Sequence, residues 1–369
     1  MHIRFFTILV LSAILMACTS ENGKSLKEAD SVIEEYPDSA MSILMSIDRH
    51  SLNNRDLPYY ALLYTQAQVK TYISLDSDSL ISIAFAKYGE NTRGDLGIRS
   101  NFYTGEVFFN QKKYHEAMRY YLKAYEESKR LNNDYWHAKA AERMTDLFFH
   151  FYHYDEAEKF AKEAADYFNK SNRVVNHRYL LALLSIIYLN NNKVDLSYSI
   201  LDSLYNLSVN EDRVDSTFVE YIEQPLLESA VKLNKREFVD INPNEFFRED
   251  MSEGDKIDAV MFLNSISGSD NNQKIKVLLN EISPLATDND DHTHILYAKY
   301  ENAKALNDLA LAISYVDSLL DYQVLMTEKI IKESITGVQR DFYSDLSIQQ
   351  KKKSSFLTYI IIVSVATFI

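Results

Sequence analysis

Apolar residues recur at three- and four-residue spacing along most of this chain, starting at Leu26. Ala29, Val32 and Ile33 form one run, and Ala40, Ile43, Leu44 and Ile47 form the next. That period marks one face of an α-helix. Between the two runs, Pro37-Asp38-Ser39 reads as a turn leading into an N-cap. The same pattern predicts helices over Leu57–Ile73, over Leu80–Tyr88 behind the caps of Asp76-Ser77-Asp78-Ser79, and over Arg99–Asn110 and Tyr114–Leu131. Further on it predicts Phe218–Leu233, with Pro225 as a candidate break, then Ile257–Ile266, Ile275–Ile282, His294–Ala305 and Leu309–Leu320. Asp240 to Asn244 is a loop, and a second polar loop begins at Ser267.

Within this pattern a register repeats every 40 residues, most clearly over 99–206. Gly105, Thr145 and Ser185 are small, and Phe108, Phe148 and Tyr188 are aromatic. Tyr114, Tyr154 and Val194 come next, followed by the small residues Ala117, Ala157 and Ser197. A coherent register of this kind marks a repeated structural unit of two helices and a turn. The small residue lets the paired helix approach closely, and the aromatic fills the space beside it. Asp38-Ser39-Ala40 and Asp78-Ser79-Leu80 keep the spacing without the aromatics, as an atypical end of the array does.

These residues resemble the tetratricopeptide repeat. Gly105, Phe108, Tyr114, Ala117, Tyr121 and Ala124 match its pattern, as do Thr145, Phe148, Tyr154, Ala157, Ala161 and Ala164. Ser185, Tyr188, Val194, Ser197 and Leu201 match less fully. The unit is longer than usual and lacks the proline that often closes it. The resemblance implies an all-α solenoid of antiparallel helical hairpins over 26–320, with first helices lining a concave groove. Composition agrees: eight glycines and five prolines leave little for sharp turns.

The two ends change the picture. Arg4 and the apolar run Phe5–Leu15 read as a signal peptide over 1–17, too short for an ordinary membrane span. Leu15-Met16-Ala17-Cys18 resembles a bacterial lipoprotein signal, which implies lipidation of Cys18; the alternative is a secretory signal with an incidental cysteine. Cys18 is the only cysteine, so no internal disulfide and no cysteine metal site can form. Residues 18–25 read as a tether. Beyond Leu320 one helix is expected through Tyr322–Gln350, as part of a segment 321–353. Val324, Ile331 and Val338 are spaced by seven there, the mark of a dimeric stalk or of a helix packed on the last repeat. Lys351-Lys352-Lys353 precedes an apolar segment, 354–369, read as a transmembrane helix that continues in a longer chain, or else as a short hydrophobic tail. Its charge-free part, Phe356–Ile369, spans roughly 21 Å at ~1.5 Å per residue, short of the ~30 Å hydrocarbon core. With the array outside the cytoplasm, the three lysines fall on the disfavoured side.

No phosphate-binding glycine loop, nucleophile elbow or Cys–His pair is present, so the chain does not read as an enzyme and implies no cofactor. A net charge of −14 gives nucleic acid no electrostatic support. His150 and His153, with Asp155 and Glu156, read as flanking a helix–helix turn. Asp288, Asp290, Asp291, His292 and His294 read as a solvated loop capping the helix near Thr293, with a weak divalent-ion site as the alternative. The candidate ligand surface is the groove. Phe102, Glu106, Phe109 and Asn110, then Glu142, Asp146, Phe149 and His150, then Tyr179 and Asn190 are placed on its exposed faces. Aromatics mixed with carboxylates suit an extended peptide or a helix carrying positive charge. The chain also resembles the extracytoplasmic region of repeat-containing membrane regulators of Bacteroidetes-type bacteria. That implies a protein- or peptide-binding sensor facing the periplasm at the cell envelope, a scaffold lipoprotein being the alternative.

Overall fold

In the computed structural model, the described residues are 21–75, 77–90, 94–211, 215–233, 272–281, 289–332 and 335–368. Among them the regular structure is helical throughout. In chain order the helices are α1 (Glu21–Val32), α2 (Pro37–Met45), α3 (Asp56–Lys70), α4 (Ser79–Tyr88), α5 (Asp95–Asn110), α6 (Tyr114–Arg130), α7 (Asp134–His150) and α8 (Tyr154–Lys170). They continue with α9 (Val174–Asn190), α10 (Val194–Val209), α11 (Ser216–Lys232), α12 (Asn272–Glu281), α13 (Asn289–Ala305), α14 (Leu309–Lys332) and α15 (Ile335–Phe368). The signal segment, Cys18, the Asp240–Asn244 loop, the helix expected over Ile257–Ile266 and Asp288 lie outside the described residues. The all-α class of helical hairpins is observed. The helices group into two compact units, one of residues 1–147 with 335–369 and the other of residues 148–334.

The 40-residue register arises from a 20-residue one in the backbone. Lys112, Asn132, Tyr152, Asn172 and Asn192 all adopt left-handed φ values of 53–59°. Each sits in the middle of a three-residue turn between helices of sixteen or seventeen residues. At every one the two following-turn amides bond backward in the same way. Lys112 N–H donates to the Phe109 carbonyl, and Lys113 N–H to that of Phe108; Tyr152 and His153 do the same with Phe149 and Phe148. This paired bonding satisfies carbonyls that a helix end leaves unpaired. Glycine is the usual residue at such a position, but here lysine, asparagine and tyrosine hold it at a cost of roughly 1–2 kcal/mol for a side chain at positive φ.

The repeated aromatic belongs to this turn. Phe108 stacks on Tyr120 at 5.4 Å and 6°, and Phe148 stacks on Phe160 at 5.5 Å and 2°, each ring joining the two helices of its hairpin. The residue closing the turn then covers the ring: Lys113 lies 5.5 Å over Phe108, His153 meets Phe148 edge-on, and Lys193 lies 5.8 Å over Tyr188. His150 and His153 thus flank the α7–α8 turn.

Several expectations need correction. Residues 21–25 are the first turns of α1, not a tether. Pro37 is itself helical, at the start of α2 where its missing N–H costs nothing. Left-handed Tyr72 ends α3 at Lys70. Pro225 does not break α11, which runs through it with the loss of one ladder bond. The helix expected over Tyr322–Gln350 is described as α14 through Lys332 and α15 from Ile335, and residues 333 and 334 lie outside the described residues. α15 lies against α6. Ile335 is wholly buried and Val338, Phe342 and Leu346 are half-buried, one face of the helix, while Ser347 to Ser355 are all exposed. That contact is worth about 5 kcal/mol of gross apolar burial. Among the described residues no helix is long and apolar enough to cross a membrane.

At Gly105 a Cβ would lie 2.5 Å and 2.6 Å from two ring carbons of the fully buried Tyr121. Alanine in a helix interior ordinarily gains up to about 1 kcal/mol over glycine. Overpacking here costs about 1–3 kcal/mol, and Tyr121 has no free space to retreat into. Gly105→Ala is therefore expected to destabilise the fold by about 1–2 kcal/mol in chemical denaturation; a stabilised variant would refute the close-approach account.

Candidate functional site

The first helices of successive hairpins, α1, α3, α5 and α7, carry polar residues at helical spacing on one face. Asp30 and Glu34 come from α1 and the turn after it, and Tyr59, Gln66 and Lys70 from α3. Asp95, Arg99 and Glu106 come from α5, and Tyr135, Lys139, Glu142, Arg143 and Asp146 from α7. α1 packs on α3 and α3 on α5, so these faces join into one floor.

Its first half centres on Arg99, whose side chain is 7% exposed. The guanidinium donates to Asp30 Oδ1 at 2.6 Å and to Gln66 Oε1 at 2.5 Å, and pairs with Asp95 at 3.4 Å. Burial opposes the Arg99 charge, but the hydrogen bond and charge of Asp30 outweigh it and hold the pKa above its usual range. Tyr59 Oη donates to the other Asp30 oxygen at 2.5 Å; burial and that carboxylate push the phenol up. Gln66 Nε2 passes the network to Glu34 at 2.6 Å. Glu34 also takes Lys70 at 3.0 Å and the Tyr135 hydroxyl at 2.8 Å, reaching from α1 to α7.

The second half centres on Arg143. Its Nε donates to Glu106 at 2.8 Å and its Nη1 to Asp146 at 2.8 Å. Lys139 pairs with Glu142 at 2.5 Å and lies 6.0 Å from the Phe102 ring centroid. Tyr121, on the second helix of its hairpin, reaches through to donate to Glu106 at 2.7 Å. Burial raises the Asp146 carboxyl; Arg143 pulls it back, and Glu142 pushes it up again, leaving it above the ordinary range. Glu142 goes the other way: burial raises it, but Lys139 and Arg143 together hold it low. Trp136, the only tryptophan, is buried beside this half against Phe102 and Tyr103.

The expected groove residues separate into distinct roles. Glu142 and Asp146 are half-buried on the floor. Phe102 (2% exposed) and Glu106 (4%) are not exposed as expected: aromatic rings cover the first, and Tyr121 and Arg143 engage the second. Phe109 and Phe149 close their own hairpins against Tyr114 and Tyr154. Asn110 and Asn190 are exposed at helix ends, each amide bonded to the carbonyl four residues back. His150 is half-buried, edge-on to Phe151. Tyr179, in the second unit, packs on Phe218 and Tyr221. Sequence reading missed Asp30, Gln66, Arg99 and Tyr135, whose partners on other helices and turns are 29 to 101 residues away. The run Lys139, Glu142, Arg143, Asp146 carried a readable signal in its helical spacing of alternating charge.

Among the described residues, each charged group named on this face is held in an ion pair. Among the described residues no group of three His, Cys, Asp or Glu is placed to hold a metal ion. Compared with known proteins, the chain matches the Rap protein solved in complex with Competence and Sporulation Factor, at TM-score 0.57 and 14% identity over 91% of this chain and 99% of that one. The fold is that of a helical-repeat protein. A second solved structure, BtubC (BKLC) from P. vanneervenii, aligns over 83% of this chain and 89% of its own at 12% identity, with a TM-score of 0.35 that carries no argument. No family model matches this sequence, and no curated protein does.

Removing one partner of the Arg99–Asp30 pair strands the other in the interior. Arg99→Met is expected to cost about 3 kcal/mol, and Asp30→Asn in the same chain should recover part of it. A double-mutant cycle that came out additive would remove the coupling. Asp146 offers a pH test. Its folded pKa is raised, so its contribution to stability is full below the ordinary carboxyl value and declines as pH rises through the folded one. Asp146→Asn should therefore raise the melting temperature at pH 7 and lose that advantage near pH 3; an advantage that grew on acidification would contradict the assignment.

Proposed function

We propose that this chain is a non-enzymatic protein- or peptide-binding module at the bacterial cell envelope, held to a membrane through a lipidated Cys18. The observation that carries the reading is the polar floor. Six carboxylates (Asp30, Glu34, Asp95, Glu106, Glu142, Asp146) face four cations (Lys70, Arg99, Lys139, Arg143), most of them half-buried. Each cation already has a carboxylate partner, so the surplus favours a ligand bringing positive charge, an extended basic segment or a basic helix face. The Rap structure, solved with Competence and Sporulation Factor bound, is an instance of this fold engaging a factor. Envelope placement rests on the N-terminal pattern alone.

Two roles fit such a module. One is the sensing part of a membrane signalling or regulatory protein, which the resemblance to membrane regulators favours. The other is a scaffold lipoprotein that gathers partners without passing on a signal.

Two measurements test the proposal. Peptides selected from a random library on the full chain should be enriched in Lys and Arg. They should change Trp136 emission and bind at least tenfold more weakly to the Glu142→Gln, Asp146→Asn chain. Selected peptides that bind both chains equally would place the ligand elsewhere. In bacteria, Cys18→Ser should move the protein from the membrane to the soluble fraction; retention in the membrane would remove the lipid anchor.

A further inference from the structure

α14 differs from earlier second helices in what its outer face carries. The exposed positions of α6 include Glu116 and Arg119, and those of α8 include Asp155, Lys159, Lys162 and Asp166. α14 packs on α13, and buried Ala312 with half-buried Tyr315 and Leu319 marks its covered side. Away from that side, Leu309, Ile313, Leu320 and Val324 are 54–63% exposed. At 3.6 residues per turn the four fall within a sector of roughly 60°, so they form one stripe about 22 Å long. Apolar residues scattered singly over a surface are ordinary, whereas a contiguous stripe marks an interaction surface.

Two observations name the occupant. The first is size. A standard protein interface takes about 20–30 residues a side, and this stripe is the footprint of a single helix. The second is charge. Asp317 and Asp321 lie one turn apart along one edge of the stripe, both exposed. Neither has an ion-pair partner among the described residues. A second copy of α14 laid antiparallel would set these aspartates against their own counterparts, and like charges so placed oppose association. A helix with Lys or Arg along that edge is attracted there instead.

We propose that the outer stripe of α14 is a docking site for one amphipathic helix of a partner protein, with basic residues along the edge that meets Asp317 and Asp321. The stripe lies in the second unit, and the polar floor, built from residues 30–146, lies in the first. Either proposal therefore stands if the other fails.

The probe is a labelled peptide of about five helical turns, leucine on one face and lysine elsewhere, followed by fluorescence anisotropy. Every comparison uses the full chain carrying Glu142→Gln and Asp146→Asn, so that the floor does not contribute. The peptide should bind this chain at least tenfold more tightly than the same chain with Ile313→Ser and Leu320→Ser. Both positions are more than half exposed, so helix content should be unchanged. Asp317→Asn with Asp321→Asn should weaken binding several-fold and flatten its dependence on salt. A peptide with glutamate in place of lysine should bind at least tenfold more weakly. Equal binding with and without the stripe substitutions, or equal binding of the two peptides, overturns the proposal. So does a chain that sediments as a dimer and becomes a monomer on Ile313→Ser and Leu320→Ser, since the occupant would then be a second copy.

Discussion

A left-handed residue every 20 positions is the constraint on which the array depends. An α-helix left to itself has no reason to stop after seventeen residues, and the sequence here is poor in glycine and proline. Lys112, Asn132, Tyr152, Asn172 and Asn192 each accept positive φ and reverse the chain in three residues. The strain is offset at each turn by backbone bonds that would otherwise go unmade. In the turns after α5 and α7 an aromatic carbonyl accepts one of those bonds, and its ring locks the two helices together. Equal helix lengths follow, and with them the regular alternation of first and second helices.

That alternation creates the floor. Because first helices stack on first helices, their polar faces meet across gaps of thirty and more residues. Gly105 connects the two levels. Its missing side chain admits the Tyr121 ring, and the hydroxyl of Tyr121 then reaches Glu106 from beneath. One packing decision inside a hairpin thereby orients a carboxylate toward Arg143 on the next first helix. Buried ion pairs of this sort contribute little net stability, since desolvation offsets the attraction. What they supply here is a fixed pattern of charge with a negative surplus.

The C-terminal helix packs within the first unit, where α15 lies on α6 through a short apolar stripe, Ile335 wholly buried and Val338, Phe342 and Leu346 half-buried.

Helix identity, the 40-residue register and the role of Gly105 were legible from periodicity and residue size, because those signals are local. Boundaries erred where a turn residue was not a conventional one: Tyr72 gave no sign that it would stop α3, and Pro225 no sign that α11 would pass through it. The expected groove residues separate for the same reason. Helical spacing put Glu142 and Asp146 on the face that carries the ion pairs, yet it could not tell that Phe102 and Glu106 lie one layer deeper, under rings and ion partners from other helices. Arg99 looked like any helix-surface arginine until Asp30 and Gln66 arrived from two other hairpins. Periodicity records which way a side chain leaves its own helix. Which charge meets which depends on how separate helices stack, and that was settled by contacts between residues far apart in the chain.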